Sequence, residues 1–220
     1  STEELGDDSM IDERLEALYG LPRNVRFCSK CVISNQRPNS AIEYQHTADS
    51  KKQTINFDEE RVCDACRVAE KKENEIDWSE REKQLRELCN QHRKNGSGYD
   101  CLVPGSGGKD SFYAAHTLKY KYGMSPLTVT WAPHRYTEWG WRNFQAWIDA
   151  GFDNYLMTPN PRIHRLITRL AVENLFHPFQ PFMLGQKALA PKMAELFNIP
   201  LIFYRENEAE YGNPLQDTES

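Results

Sequence analysis

Val103-Pro104-Gly105-Ser106-Gly107-Gly108-Lys109-Asp110-Ser111 lies between an apolar stretch at 99–103 and a helix-like stretch at 112–122. The run therefore reads as a strand, a Gly-rich turn and a helix start. Adjacent glycines let the backbone turn tightly and bring consecutive N–H groups close to an anion. The first turn of the helix adds unpaired N–H donors and a partial positive charge. Ser106 and Ser111 add hydroxyls, and Lys109 adds a full charge. Asp110 would repel a phosphate, so it is read as holding a cation or capping the helix.

The commoner phosphate loops do not fit. The Walker pattern needs two glycines five apart followed directly by Lys and Ser/Thr, whereas here Asp110 separates Lys109 from Ser111. The dinucleotide pattern G-x-G-x-x-G is absent as well. Residues 106–111 instead resemble the SGGxDS signature of the PP-loop ATP pyrophosphatases, with every fixed position present. That resemblance implies ATP cleavage between the α and β phosphates, with the AMP half activating an oxygen of a second substrate. It also implies ATP contacts from Ser106, Gly107, Gly108, Lys109, Asp110 and Ser111. The competing reading is a ligand-free surface turn.

The 220 residues suit one α/β domain with a smaller unit beside it. Hydrophobic residues make up 39%, enough for a core. A net charge of −5 argues against a polyanion partner and hence against nucleic acid. No apolar run approaches a membrane span, and residues 1–14 are acidic without the apolar centre of a signal peptide. The expectation is a cytoplasmic protein that does not enter membranes.

Residues 1–26 read as a leader, 27–75 as a cysteine unit, 76–98 as a helical linker and 99–220 as the α/β domain. Within the last part, strands are expected at 99–103, 127–131, 154–157 and 200–204. Helical faces are expected from Trp141, Phe144, Trp147 and Ile148, from Ile163, Leu166, Ile167 and Leu170, and over 187–197 despite Pro191. Trp139, Trp141 and Trp147 read as helix core. Such alternation gives βαβ units and a parallel sheet, whose ligands bind outside the carboxyl ends of the strands. Four loops then share one rim, at 104–111, 132–138, 158–162 and 205–213. His134 and Arg135 sit on it, and Gly185-Gln186-Lys187 is a further candidate phosphate approach.

Cys28-x-x-Cys31 and Cys63-x-x-Cys66 supply two tight turns with two sulfurs each, the pattern of a closed tetrahedral Zn²⁺ site with a structural role. The few apolar residues nearby (Phe27, Val32 and Val62) cannot make a core alone, so a metal would supply folding free energy. Cys101 reads as a buried strand thiol.

The cysteine pairs, the string Asn56-Phe57-Asp58, the Gly-rich loop and the late string Glu206-Asn207-Glu208-Ala209-Glu210-Tyr211-Gly212 together resemble the N-acetyl sugar amidotransferases. Arg205 stands where a small residue is expected. The resemblance implies a HUP-like parallel-sheet domain preceded by the zinc unit. Its reaction turns an acetamido group of a bacterial surface-polysaccharide or flagellin sugar precursor into an acetamidino group, through an adenylylated intermediate. Lys109 would offset charge on the leaving pyrophosphate, Mg²⁺ would bridge the phosphates with Asp110 a candidate ligand, and backbone at Thr130 and Trp131 would meet adenine. Glu206, Asn207 and Glu210 would orient the sugar, Glu206 and Glu210 also as catalytic groups; the competing reading there is a solvated acidic loop. No glutaminase motif is visible, so the family implies ammonia from a partner glutaminase. The rival reading is a PP-loop tRNA-modifying enzyme of the thiolation type.

Overall fold

A computed structural model of the chain describes residues 21–38, 47, 49–94, 96 and 98–204. They fall into two compact units, one ending at Ile76 and the other beginning at Asp77. The rim loop at 205–213, with Glu206, Asn207 and Glu210, lies outside the described residues, as do residues 1–20 of the expected leader.

The first unit is built on two short turns rather than on a sheet. Phe27 and Ser34 form one antiparallel bridge, and Phe57 and Cys63 form another. Between the bridged residues the chain reverses through Val32 (φ 58°) and Arg61 (φ 61°). Helix α1 (Asp64–Asn74) follows directly, with Cys63 at its N-cap. Among the described residues, Cys28, Ile55 and Cys63 form the buried cluster here, which is little for a free-standing unit.

The second unit is a three-layer α/β arrangement. Its elements are α2 (Trp78–His92), β1 (Cys101–Pro104), α3 (Lys109–His116), β2 (Pro126–Trp131), α4 (Glu138–Asp149), β3 (Asn154–Met157), α5 (Pro161–Leu175) and α6 (Gln180–Leu196). The three strands pair in parallel in the order β1-β2-β3, with Leu102 opposite Leu127 and Thr130 opposite Leu156. On the free edge of β1, Leu102 donates to Leu201 O (2.9 Å) and accepts from Phe203 N (2.9 Å), which makes a parallel bridge to Ile202. The strand expected at 200–204 is thus a single bridge.

Strand alternation sends neighbouring residues to opposite faces. Cys101 and Val103 pack with Cys89 of α2, Ala115 of α3, and Phe144 and Trp147 of α4. Leu102, Leu127 and Val129 pack with Leu189, Ala190 and Ala194 of α6. Helices therefore cover both faces, as parallel strands require. Asp100 is buried at the entry to β1 and accepts from Lys94 N (2.6 Å) and Ser125 N (2.8 Å).

Four features differ from the sequence reading. After His116 the helix widens into a π-turn, Thr117–Lys121, before ending near Gly123. Helix α6 starts at Gln180, seven residues before the expected start at 187. The face of α5 formed by Ile163, Leu166, Ile167 and Leu170 is exposed, because α5 packs on α6 and it is α6 that covers β1 and β2. Of the tryptophans, only Trp147 is core; Trp139 and Trp141 are exposed, and Arg142 lies 5.0 Å over the Trp139 ring. Among the described residues, no helix is long and apolar enough to cross a membrane.

Candidate functional site

The four cysteines of the first unit converge. Their sulfurs all lie within 4.8 Å of one another, with Cys28 Sγ 3.9 Å from Cys66 Sγ and Cys31 Sγ 3.6 Å from Cys63 Sγ. A tetrahedron of sulfurs at the Zn–S distance of about 2.3 Å has edges of about 3.8 Å, so the donor set matches zinc in number, chemistry and spacing. Backbone donors frame it. Lys30 N (3.4 Å) and Cys63 N (3.3 Å) point at Cys28 Sγ. Burial opposes ionisation of the Cys28 thiol, but backbone donation from Cys31, Cys63 and Lys30 outweighs it and brings its pKa down to about 6. Burial and the neighbouring sulfurs push Cys66 up, and burial raises Cys63. Four crowded thiols cannot all ionise without a countercharge, which a divalent cation provides.

The second pair is held by residues that the sequence singled out without a role. Asn56 Nδ2 donates to Asp64 Oδ2 (3.1 Å), and Asp64 N donates to Asn56 O (3.1 Å). Asp64 is buried and pairs with Arg67. Asp58 Oδ1 accepts from Glu60 N (3.0 Å) and Val62 N (2.8 Å), which folds the turn that presents Cys63. The Asn56-Phe57-Asp58 string therefore has a scaffolding use.

In the second unit, the Gly-rich loop leaves the carboxyl end of β1 and enters α3 at Gly108, the N-cap. It is tied down at its base. Gly105 N donates to Val129 O (2.9 Å), and Thr130 Oγ1 donates to Gly105 O (2.7 Å). Gly105 cannot carry a side chain, since a Cβ would run into Ser111 and lie 2.7 Å from Trp147 Cη2. Gly107 has φ +83°, and a Cβ there would lie 2.5 Å from the Asn143 carbonyl oxygen. Ser111 is fully buried and donates to Gly108 O (3.0 Å), so its hydroxyl braces the loop. Among the described residues, the N–H groups of Ser106, Gly107, Gly108 and Lys109 donate to no backbone carbonyl. Lys109 is 88% exposed and its Nζ reaches Asp110 Oδ1 at 2.6 Å. The loop is thus a fixed turn with unspent donors, beside a cation that a bound anion would compete for.

Thr130 and Trp131 end β2 next to this loop. The Thr130 side chain is buried and also accepts from Asn154 Nδ2 (3.1 Å), so its hydroxyl is spent within the sheet. The Trp131 ring lies on Gly185 of α6, where a Cβ would overlap the indole. That contact accounts for Gly185 by packing.

A ring cluster that the sequence did not announce closes the rim beyond β2. His134 and His164 have centroids 4.4 Å apart, Trp131 lies 6.3 Å from His164, and Phe182 lies 5.9 Å from His134. Asn160 caps α5 by accepting from Arg162 N (3.0 Å), and Pro161 fixes the first turn that carries His164. His164 is buried, and its Nε2 has no hydrogen-bond partner among the described residues. Burial, helped by His134, lowers its pKa. The Asn-Pro cap was a readable signal, but nothing in the spacing of residues 134 and 164 marks them as neighbours.

No protein-family model matches the chain. It is similar to an uncharacterized protein of Methanocaldococcus jannaschii, 33% identical over 84 residues, which is 38% of this chain and 29% of that protein. The match thus spans less than a third of that relative.

Proposed function

We propose that this chain is an ATP-dependent amidotransferase of the PP-loop kind, which replaces the oxygen of an acetamido group on a sugar precursor by nitrogen. The observation that carries the reading is the braced loop between β1 and α3, with free N–H donors at the carboxyl end of a parallel sheet. Such a rim is where α/β sheets take ligands, and oriented donors there suit a pyrophosphate leaving group.

In this reading the N–H groups of residues 106–109 hold the β and γ phosphates. Lys109 swings from Asp110 to the leaving pyrophosphate, and backbone at Thr130 and Trp131 meets adenine. Mg²⁺, when bound, would offset phosphate charge, and the Asp110 carboxylate is its candidate ligand. The amide oxygen takes the AMP group and pyrophosphate departs. Ammonia then attacks the carbon and AMP leaves. The chain contributes positioning and fixed charge. Glu206, Asn207 and Glu210 remain the proposed sugar contacts, and ammonia comes from a separate glutaminase. Cys28, Cys31, Cys63 and Cys66 hold structural Zn²⁺.

The cysteines weigh against the thiolation alternative. Burial pushes the Cys101 thiol up to about 12 and raises Cys89, so neither is a ready sulfur carrier. The test is product analysis with ATP, Mg²⁺, an ammonium salt and a diacetamido nucleotide sugar. AMP, pyrophosphate and a sugar carrying NH in place of oxygen are expected. Lys109→Ala should lower turnover about 10²-fold or more. ADP as product, or sulfur entering tRNA, would refute the reading.

A further inference from the structure

We propose that His134 and His164 form the proton-accepting subsite of the nitrogen-transfer step, with His134 the acceptor and His164 its support. The inference rests on the amidotransferase reading, and it assigns a task that reading leaves open.

The two rings come from different elements, the loop after β2 and the first turn of α5, and meet face against tilted face at 4.4 Å. Phe182 of α6 flanks His134, and Trp131 flanks His164. Three elements thus fix one exposed imidazole against a buried one at the rim, beside the end of β2. His164 keeps a buried ring nitrogen without a partner, and a native orphan of this kind calls for an explanation. A neutral His164 under the ring of His134 tolerates one added proton on the pair, while two cations at this distance would repel.

The chemistry needs such a group. The adenylylated acetamido carbon carries O–AMP and a protonated nitrogen. The lone pair of ammonia forms the new C–N bond, leaving an –NH₃⁺ on a tetrahedral carbon. One proton passes from that nitrogen to the free ring nitrogen of His134. The C–O bond to AMP then breaks, AMP keeps the electron pair, and the acetamidinium remains. Without an acceptor, ammonia is the better leaving group and the adduct collapses backwards.

The test separates the two half-reactions. Pyrophosphate release and amidine formation are followed in parallel for the full chain, using ATP, Mg²⁺, ammonium chloride and a diacetamido nucleotide sugar. In His134→Ala, the pyrophosphate burst should persist while amidine formation falls about 10²-fold or more. Added imidazole should restore a substantial part of it, since His134 is exposed and its removal leaves an open site. His164→Gln should slow amidine formation without being rescued by imidazole. Unchanged amidine formation in His134→Ala, or a loss of the burst equal to the loss of product, would overturn the inference alone. Absence of pyrophosphate release by the unmodified chain would overturn the amidotransferase reading, and the inference with it.

Discussion

Replacing Gly107 with Ala should damage the loop, whereas the same change at Gly108 should not. Gly107 sits at φ +83°, and an L-residue there costs about 1–2 kcal/mol. Its new Cβ would also lie 2.5 Å from the Asn143 carbonyl oxygen, a backbone atom of α4 that cannot rotate away. Ordinary contact would require the loop and α4 to separate by nearly an ångström, and overpacking of this kind costs about 1–3 kcal/mol. Together these give about 2–5 kcal/mol, a fall in Tm of at least about 4 °C for a chain of this size. Gly108 has φ −64° and open space around its Cβ position, so Ala there should cost only several tenths to about 1 kcal/mol as a poorer N-cap. Urea unfolding followed by tryptophan fluorescence measures both, since Trp147 is buried beside the loop. Calorimetric titration with ATP adds the functional half: under the proposed function the stable Gly108→Ala chain should still bind more weakly, because its methyl would stand in the proposed approach of the phosphate. Gly107→Ala within about 0.5 kcal/mol of the unmodified chain would refute the reasoning.

Protein purified without added metal should carry about one zinc per chain by elemental analysis, and Cys63→Ser should lose it together with the fold of the first unit. Gly185→Ala should destabilise by about 1–3 kcal/mol, and pairing it with Trp131→Leu should recover part of that loss in a double-mutant cycle, because the clash is with the indole. The lowered pKa of His164 has a defined sign. Below about pH 6.5 the unfolded chain takes up a proton that the native site resists, so acid lowers stability until the pH passes the native value. His164→Gln should flatten that limb relative to the unmodified chain in urea unfolding across about pH 7.5 to 5.5; identical slopes would count against burial of a neutral ring.

Signals confined to a few residues were legible, and signals that depend on partners were not. The Gly-rich run disclosed the strand–turn–helix junction, because the turn is decided by residues within it. Strand β3 was read at its observed bounds. The two CxxC pairs were legible as one cluster because four thiols in two tight turns have few other uses. Periodicity identified α5 as amphipathic but could not say what meets its apolar side, and it leaves Ile163 and Leu166 uncovered among the described residues. Trp139 and Trp141 mislead because apolar spacing on a helix does not say which stripe faces inward. Trp147 takes the core position, and Trp139 lies under an arginine. The His134–His164 pair joins the loop after β2 to the first turn of α5, with α4 and β3 between them in the chain, so only the folded sheet brings it together. The acidic string at 206–210 lies outside the described residues, and its role rests on resemblance.

The four-sulfur clip of the first unit closes a ring of chain between Cys31 and Cys63. Once a metal pins both ends, the circumference of that ring hardly matters: doubling the length of a flexible loop adds only about 0.6 kcal/mol of closure entropy. Length added to such a loop therefore carries little entropic cost, provided that Ile55, Asn56, Asp58 and the turn they brace stay intact. By contrast, a single residue inserted between Cys28 and Cys31 would break the tight turn that brings two sulfurs to one ion.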